Sequence, residues 1–136
     1  MPAASPLMMS EPTIIECLMP PSVNALWRSG SGRDGNRRYF LSERYRVWKR
    51  TFDNTIMAMV PRPKVAGHFH VTITLNAAKR RGDADNRAKA VLDALQRCAV
   101  VENDNLADSV TVRWGHAPSG CRIMLTPIAP AIGVAA

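Results

Sequence analysis

An alternation from His68 to Leu75 constrains the fold most. Phe69, Val71, Ile73 and Leu75 alternate with His68, His70, Thr72 and Thr74, so a strand here buries one face and leaves the other polar. The loop NAAKRRG (Asn76 to Gly82) follows, and then the period changes. Within GDADNRAKAVLDALQ, Gly82 to Gln96, and on to Ala99, the residues Ala88, Val91, Leu92, Leu95 and Ala99 fall on one helical face. A buried strand therefore feeds an amphipathic helix through a basic loop. Asp83 and Asp85 stand at the junction, and Asp85, Lys89 and Gln96 lie along the rim of the apolar face.

The flanking chain supplies the other elements. Thr13 to Met19 reads as a strand stopped by Pro20 and Pro21, because proline cannot donate to a ladder and restricts the residue before it. From Glu43 to about Met59, Tyr45, Trp48, Phe52, Ile56 and Met59 recur at helical spacing. Ser42 is its candidate N-cap, and Pro61 and Pro63 lie beyond its end. Ser109 to Trp114 and Cys121 to Pro127 alternate on either side of HAPSG and are expected to pair as a hairpin. The stretch between Pro20 and Phe40 holds Gly30, Gly32, Gly35 and a dense set of arginines and reads as a surface loop. At 136 residues the chain fits one domain over 13–127, with an arm at 1–12 and a tail at 128–136.

Charge is uneven. Between Arg28 and Arg50 eight basic residues face only Asp34 and Glu43, so that segment supplies +6 of a formal net +7. Such a surface attracts polyanions, nucleic acid among them. An apolar fraction of 46% excludes a disordered chain, and no apolar run has the length of a membrane span. The start MPAASPLMMSEP lacks a basic segment leading an apolar run, so a cytoplasmic location is expected. Cys17, Cys98 and Cys121 are odd in number and form no CxxC pair, which fits reduced structural thiols rather than zinc or a disulfide framework. His68 and His70 share the polar face of their strand and read as solvent-facing.

Acids at a strand-to-helix junction have two readings. Asp83 and Asp85 suit the positive end of a helix dipole, and with Asp104 from the turn ENDN they also form a set of hard oxygen donors for Mg²⁺. Convergence requires that the chain after Ala99 bring Asp104 back to the helix start. Lys89 is placed either to pair with Asp85 or Asp93 one turn away or to stabilise charge on a reacting phosphate.

The strings GDADNRAKAVLDALQ and VVENDNLADSVTVRW, with PPSVNALWR upstream, together resemble the RusA family of Holliday junction resolvases over roughly residues 13 to 127. That family carries Asp-x-Asp-Asn-x-x-Lys, then Asp-Ala-Leu, then a loop Asp before a strand, and a Pro-Pro-Ser-x-Asn start. The resemblance implies an α+β fold, a small mixed sheet packed with two main helices, assembled as a homodimer. It implies paired symmetric cuts in four-way DNA junctions during recombination and repair, with Mg²⁺ or Mn²⁺ and no small-molecule cofactor, in a bacterial or phage-encoded protein. By position, Asp83, Asp85 and Asp104 match its metal-binding carboxylates and Lys89 its functional lysine. Asn86 is matched to a residue bracing the second carboxylate, and Asp93 to an ion-pair partner of Lys89. Asn24, Arg28, Arg33, Arg37 and Arg38, with Lys79, Arg80 and Arg81, are the expected DNA contacts. A non-catalytic junction-binding protein and a nuclease for flaps, forks or single strands are the alternatives.

Overall fold

The computed structural model describes residues 11–22, 27–31, 37–41 and 43–128, the two short middle spans as backbone. Along the chain run β1 (Thr13–Cys17), β2 (Trp27–Ser31), β3 (Arg37–Leu41), α1 (Glu43–Ala58), β4 (Phe69–Asn76), α2 (Ala88–Arg97), β5 (Ala107–Gly115) and β6 (Cys121–Pro127), with short 3-10 turns at Ala77–Lys79, Asp85–Arg87 and Asp104–Leu106. The architecture is α+β. Four strands form a mixed sheet in the order β1-β6-β4-β5, and β2 and β3 form a separate antiparallel pair.

β4 takes an interior place because its alternation is the most apolar: Phe69, Val71, Ile73 and Leu75 are all fully buried. β6 runs antiparallel to it and β5 parallel. The expected hairpin of β5 and β6 therefore does not form. Their connection, HAPSG, instead crosses the end of β4, where the Asn76 amide donates to the Gly120 carbonyl at 2.9 Å. Five residues suffice, since two strand spacings amount to only ~10 Å. Likewise, the glycine-rich stretch expected to be loop contains β2 and β3, paired from Trp27↔Leu41 to Ser31↔Arg37. Alternation is obscured there by glycine and charge, and backbone pairing does not depend on it.

One sheet face carries the core. Ile15, Ile73, Ile123 and Leu125 pack against Trp48, Phe52 and Ile56 of α1 and Val91 and Leu95 of α2. The Trp48 indole donates to the Leu18 carbonyl at 2.9 Å, fixing α1 to the chain leaving β1. Asp53 joins the two helices, accepting from Arg97 Nη2 at 2.7 Å and from Cys98 Sγ at 3.1 Å. Burial, and the hydrogen bond to Asp53 after it, push the Cys98 thiol up to about 11. Cys17 and Cys121 are buried cross-strand neighbours, and all three cysteines are free.

α2 is shorter than its apolar pattern suggested. Its first turn, Asp85–Arg87, is a 3-10 turn, and Ala90, Val91, Ala94 and Leu95 form the buried face, with Ala88 and Leu92 at its edge. Ala99 lies beyond the helix with φ +59°. There the Val100 amide donates to the Leu95 carbonyl and the Ala99 amide to that of Gln96, a Schellman-type stop that normally takes glycine.

Candidate active site

Three segments meet at the end of the sheet where β4 finishes and β6 begins. They are the turn after β1, the long loop after β4, and the Pro118–Gly120 entry to β6. Gly120 permits the closest approach: with φ +120°, a Cβ there would stand 2.5 Å from the Met19 nitrogen. Arg87 ties the loop down, its Nη1 donating to the Pro20 carbonyl at 2.6 Å and Nη2 to the Arg81 carbonyl at 3.1 Å.

On this anchored loop Asp83 and Asp85 are exposed. Neither carboxylate has a hydrogen bond or ion pair with another described residue. They are not spent on capping: the N-cap of α2 is Arg87, without a side-chain cap bond. Asn86 makes no side-chain hydrogen bond to a described residue either, so its expected bracing of Asp85 is not formed. Lys89 Nζ stands 3.4 Å from Asp93 Oδ2, choosing Asp93 over Asp85.

Asp104 is elsewhere. β4 and β5 are parallel and in step, Phe69 level with Ala107 and Asn76 with Gly115. Asp85 opens the turn that leads into α2, whereas Asp104 is held at the other end of that helix, so ten helical residues, ~15 Å, lie between them. The Asp104 amide donates to Gln96 Oε1 at 2.9 Å, which holds it against the last turn of α2. Accordingly, no group of three or more His, Cys, Asp or Glu able to hold a metal is found among the described residues. Asp83, Asp85 and Asp104 therefore do not form one such group within the chain.

Basic side chains gather beside the Asp83–Asp85 turn. Lys79 and Arg81, together with Arg44 from the first turn of α1 and Arg87, line a basin of about 450 Å³. Arg80 turns away from it onto the Trp114 ring, 5.7 Å from the centroid. Burial, and then the charges of Arg44 and Arg81, push the Arg87 pKa down from its ordinary value. Asn24 and Arg33 lie outside the described residues, and Arg28, Arg37 and Arg38 are placed by backbone alone, on β2 and β3. Arg44 and Arg87 were not among the sequence-based contacts. Arg87 had left one signal: a cation in the first turn of a helix opposes the dipole and calls for a compensating contact.

The model of the endodeoxyribonuclease RusA family matches residues 19–126. The chain belongs to the RusA endodeoxyribonuclease family. A search of curated proteins found no match. As a RusA-family nuclease, the protein has its Asp-x-Asp-Asn segment on the loop after β4 and its later loop Asp before β5.

The donor set fits a hard divalent cation in part. Mg²⁺ is usually held by one or two carboxylates with water and substrate phosphate completing its shell, and Asp83 and Asp85 offer two carboxylates without a partner among the described residues. Asp104 does not join them in the same chain.

Proposed function

We propose that this RusA-family nuclease is a Mg²⁺-dependent, structure-specific endonuclease that resolves four-way DNA junctions as a homodimer. One observation carries the reading: two exposed carboxylates, without a partner among the described residues, stand beside a basin whose described lining holds four cations and no acid. Acids at the centre of a polyanion-binding face repel DNA unless a cation bridges them to phosphate. Asp83 and Asp85 would hold the metal, which when bound stabilises charge on the phosphoryl oxygens and makes water more acidic. Lys79 and Arg81 hold the flanking phosphates by charge, independently of sequence. Lys89 bonds Asp93 in the resting protein and lies one turn from Asp85, within reach of an incoming phosphate.

Asp104 enters through the dimer. Because Asp104 is held at the far end of α2 from Asp83 and Asp85, a role as third ligand is best met by a second copy. Two-fold protein symmetry also matches a junction with two strands to cut.

A labelled four-way junction incubated with Mg²⁺ is expected to be cut in paired, symmetric positions by the wild-type protein. Asp85→Asn should bind the junction as tightly or more tightly, and cut at least ~100-fold more slowly. Equal cutting by the variant would remove Asp85 from the mechanism. Preference for flaps, forks or single strands would instead favour the second nuclease reading.

A further inference from the structure

The basin beside the acids has more than a phosphate needs. Its lining holds Arg44, Lys79, Arg81 and Arg87, with no carboxylate among the described residues there. Arg87 is half-buried and its Nε has no hydrogen-bond partner. Cations clustered this way repel one another until an anion enters.

The rest of the lining is different in kind. Leu18, Met19, Pro21 and Pro118 give it an apolar surface, and Asn76 and Ser119 add an amide and a hydroxyl. Asn76 Oδ1 is already taken by the Ala78 amide at 3.0 Å, leaving its NH₂ to donate. At about 450 Å³ the space is in the ~300 to 1,000 Å³ range of pockets that take small organic molecules. A flat heterocycle with polar edges, joined to an anion, suits such a surface, and a nucleotide is that combination.

We infer that this basin receives one unpaired nucleotide of the branched DNA, its base on the apolar Leu18–Met19–Pro118 surface and its phosphate among Arg44, Arg81 and Arg87. The inference rests on the nuclease reading and extends it. A base inside a duplex cannot enter, and withdrawing one costs a few kcal/mol of stacking and pairing, least where pairing is already broken. A branch point offers such a base. The pocket would thus help select branched DNA and place the neighbouring phosphodiester against Asp83 and Asp85. Arg87 acts as a positioning residue, since the same guanidinium fixes the loop that carries both acids.

The test uses the full-length protein without divalent metal, so that nothing is cut. Four-way junctions carry 2-aminopurine at one base on either side of the branch point, each position in turn, and its fluorescence rises when the base leaves the stack. A several-fold rise is expected at one position on saturation with wild-type protein, and none on linear duplex of the same sequence. Ser119→Trp fills the basin from an exposed position and should abolish the rise at protein concentrations that still saturate the junction. Ser119→Glu keeps the side chain smaller and sets a carboxylate among the cations; it should abolish the rise too, so the result does not depend on one variant folding. No rise at any position, or a rise unchanged in both folded variants, would overturn the inference. A protein that shows the rise but never cuts with Mg²⁺ would overturn the nuclease reading alone. One that cuts without any rise would overturn only the pocket.

Discussion

Arg87 and Ala99 each sit where a generic helix would have another residue, and for opposite reasons. Arg87 opposes the dipole at the start of α2 but is held by two carbonyls from other segments. Ala99 ends the same helix at φ +59°, and an L side chain in that region costs about 1–2 kcal/mol. Because Ala99 is exposed, Ala99→Gly should raise unfolding stability by about 1 kcal/mol, read as a higher urea midpoint at unchanged slope. A loss of stability would mean that the Ala99 methyl makes contacts worth more than the strain. Asp53 gives a pH-dependent counterpart. Burial pushes its carboxyl up, but the Arg97 and Cys98 hydrogen bonds and the Arg97 and Lys49 charges together bring it below 3.8. A lowered folded-state pKa stabilises above the unfolded value and ceases to do so as pH falls through the folded one. Asp53→Asn should therefore cost stability at pH 7, up to about 1 kcal/mol for so exposed a pair, and the difference from wild type should shrink in melts taken progressively below pH 3.8. A constant gap down to pH 2 would assign the loss to packing. The roles of Asp53 and Ala99 were not legible from sequence, because Asp53 depends on partners 44 and 45 positions away and Ala99 on a backbone angle that composition does not encode.

Among the elements, periodicity found what burial on one face makes visible. α1 was located to within a residue at its end, and β4, whose inward residues are all fully buried, to within one at each end. It failed where pairing is decided between strands. Nothing in Ser109–Trp114 or Cys121–Pro127 says that β4 will lie between them; that follows from β4 being the most apolar strand and taking an interior position. Glycine spacing hid β2 and β3 in the same way. The crossing from β5 to β6 depends on Gly120, whose absent side chain lets the Met19 backbone approach. Gly120→Ala should destabilise the protein by about 2 kcal/mol or more, from positive φ and backbone collision together. It should also weaken DNA binding at 25 °C, because Pro118, Ser119 and Gly120 form one wall of the basic basin. Unchanged melting would show that the Leu18–Met19 segment moves aside freely.

For the molecule as a whole, the acids were legible as residues but not as a site. Their spacing matched a family pattern, yet the path from Ala99 to β5 leads Asp104 to Gln96, away from the Asp83–Asp85 turn, because a parallel β4–β5 pair must start its second strand at the far end from where the first finished. If catalysis uses all three carboxylates, each site draws Asp83 and Asp85 from one chain and Asp104 from the other. Subunit mixing decides this. Asp85→Asn and Asp104→Asn homodimers should each be inactive on a four-way junction. Unfolded together and refolded, they should form mixed dimers in which one site contains both substitutions and the other contains neither. Those mixed dimers should nick one strand of the pair with Mg²⁺, at up to about half the wild-type rate per dimer for that strand, since one intact site remains of two. Sites built within single chains would each keep one substitution, so no mixing ratio would restore cutting. A persistent absence of nicks, with mixed dimers verified by differently tagged subunits, would exclude a site shared in this way, and Asp104→Asn homodimers that cut like the wild type would leave Asp83 and Asp85 as the only acids of the mechanism.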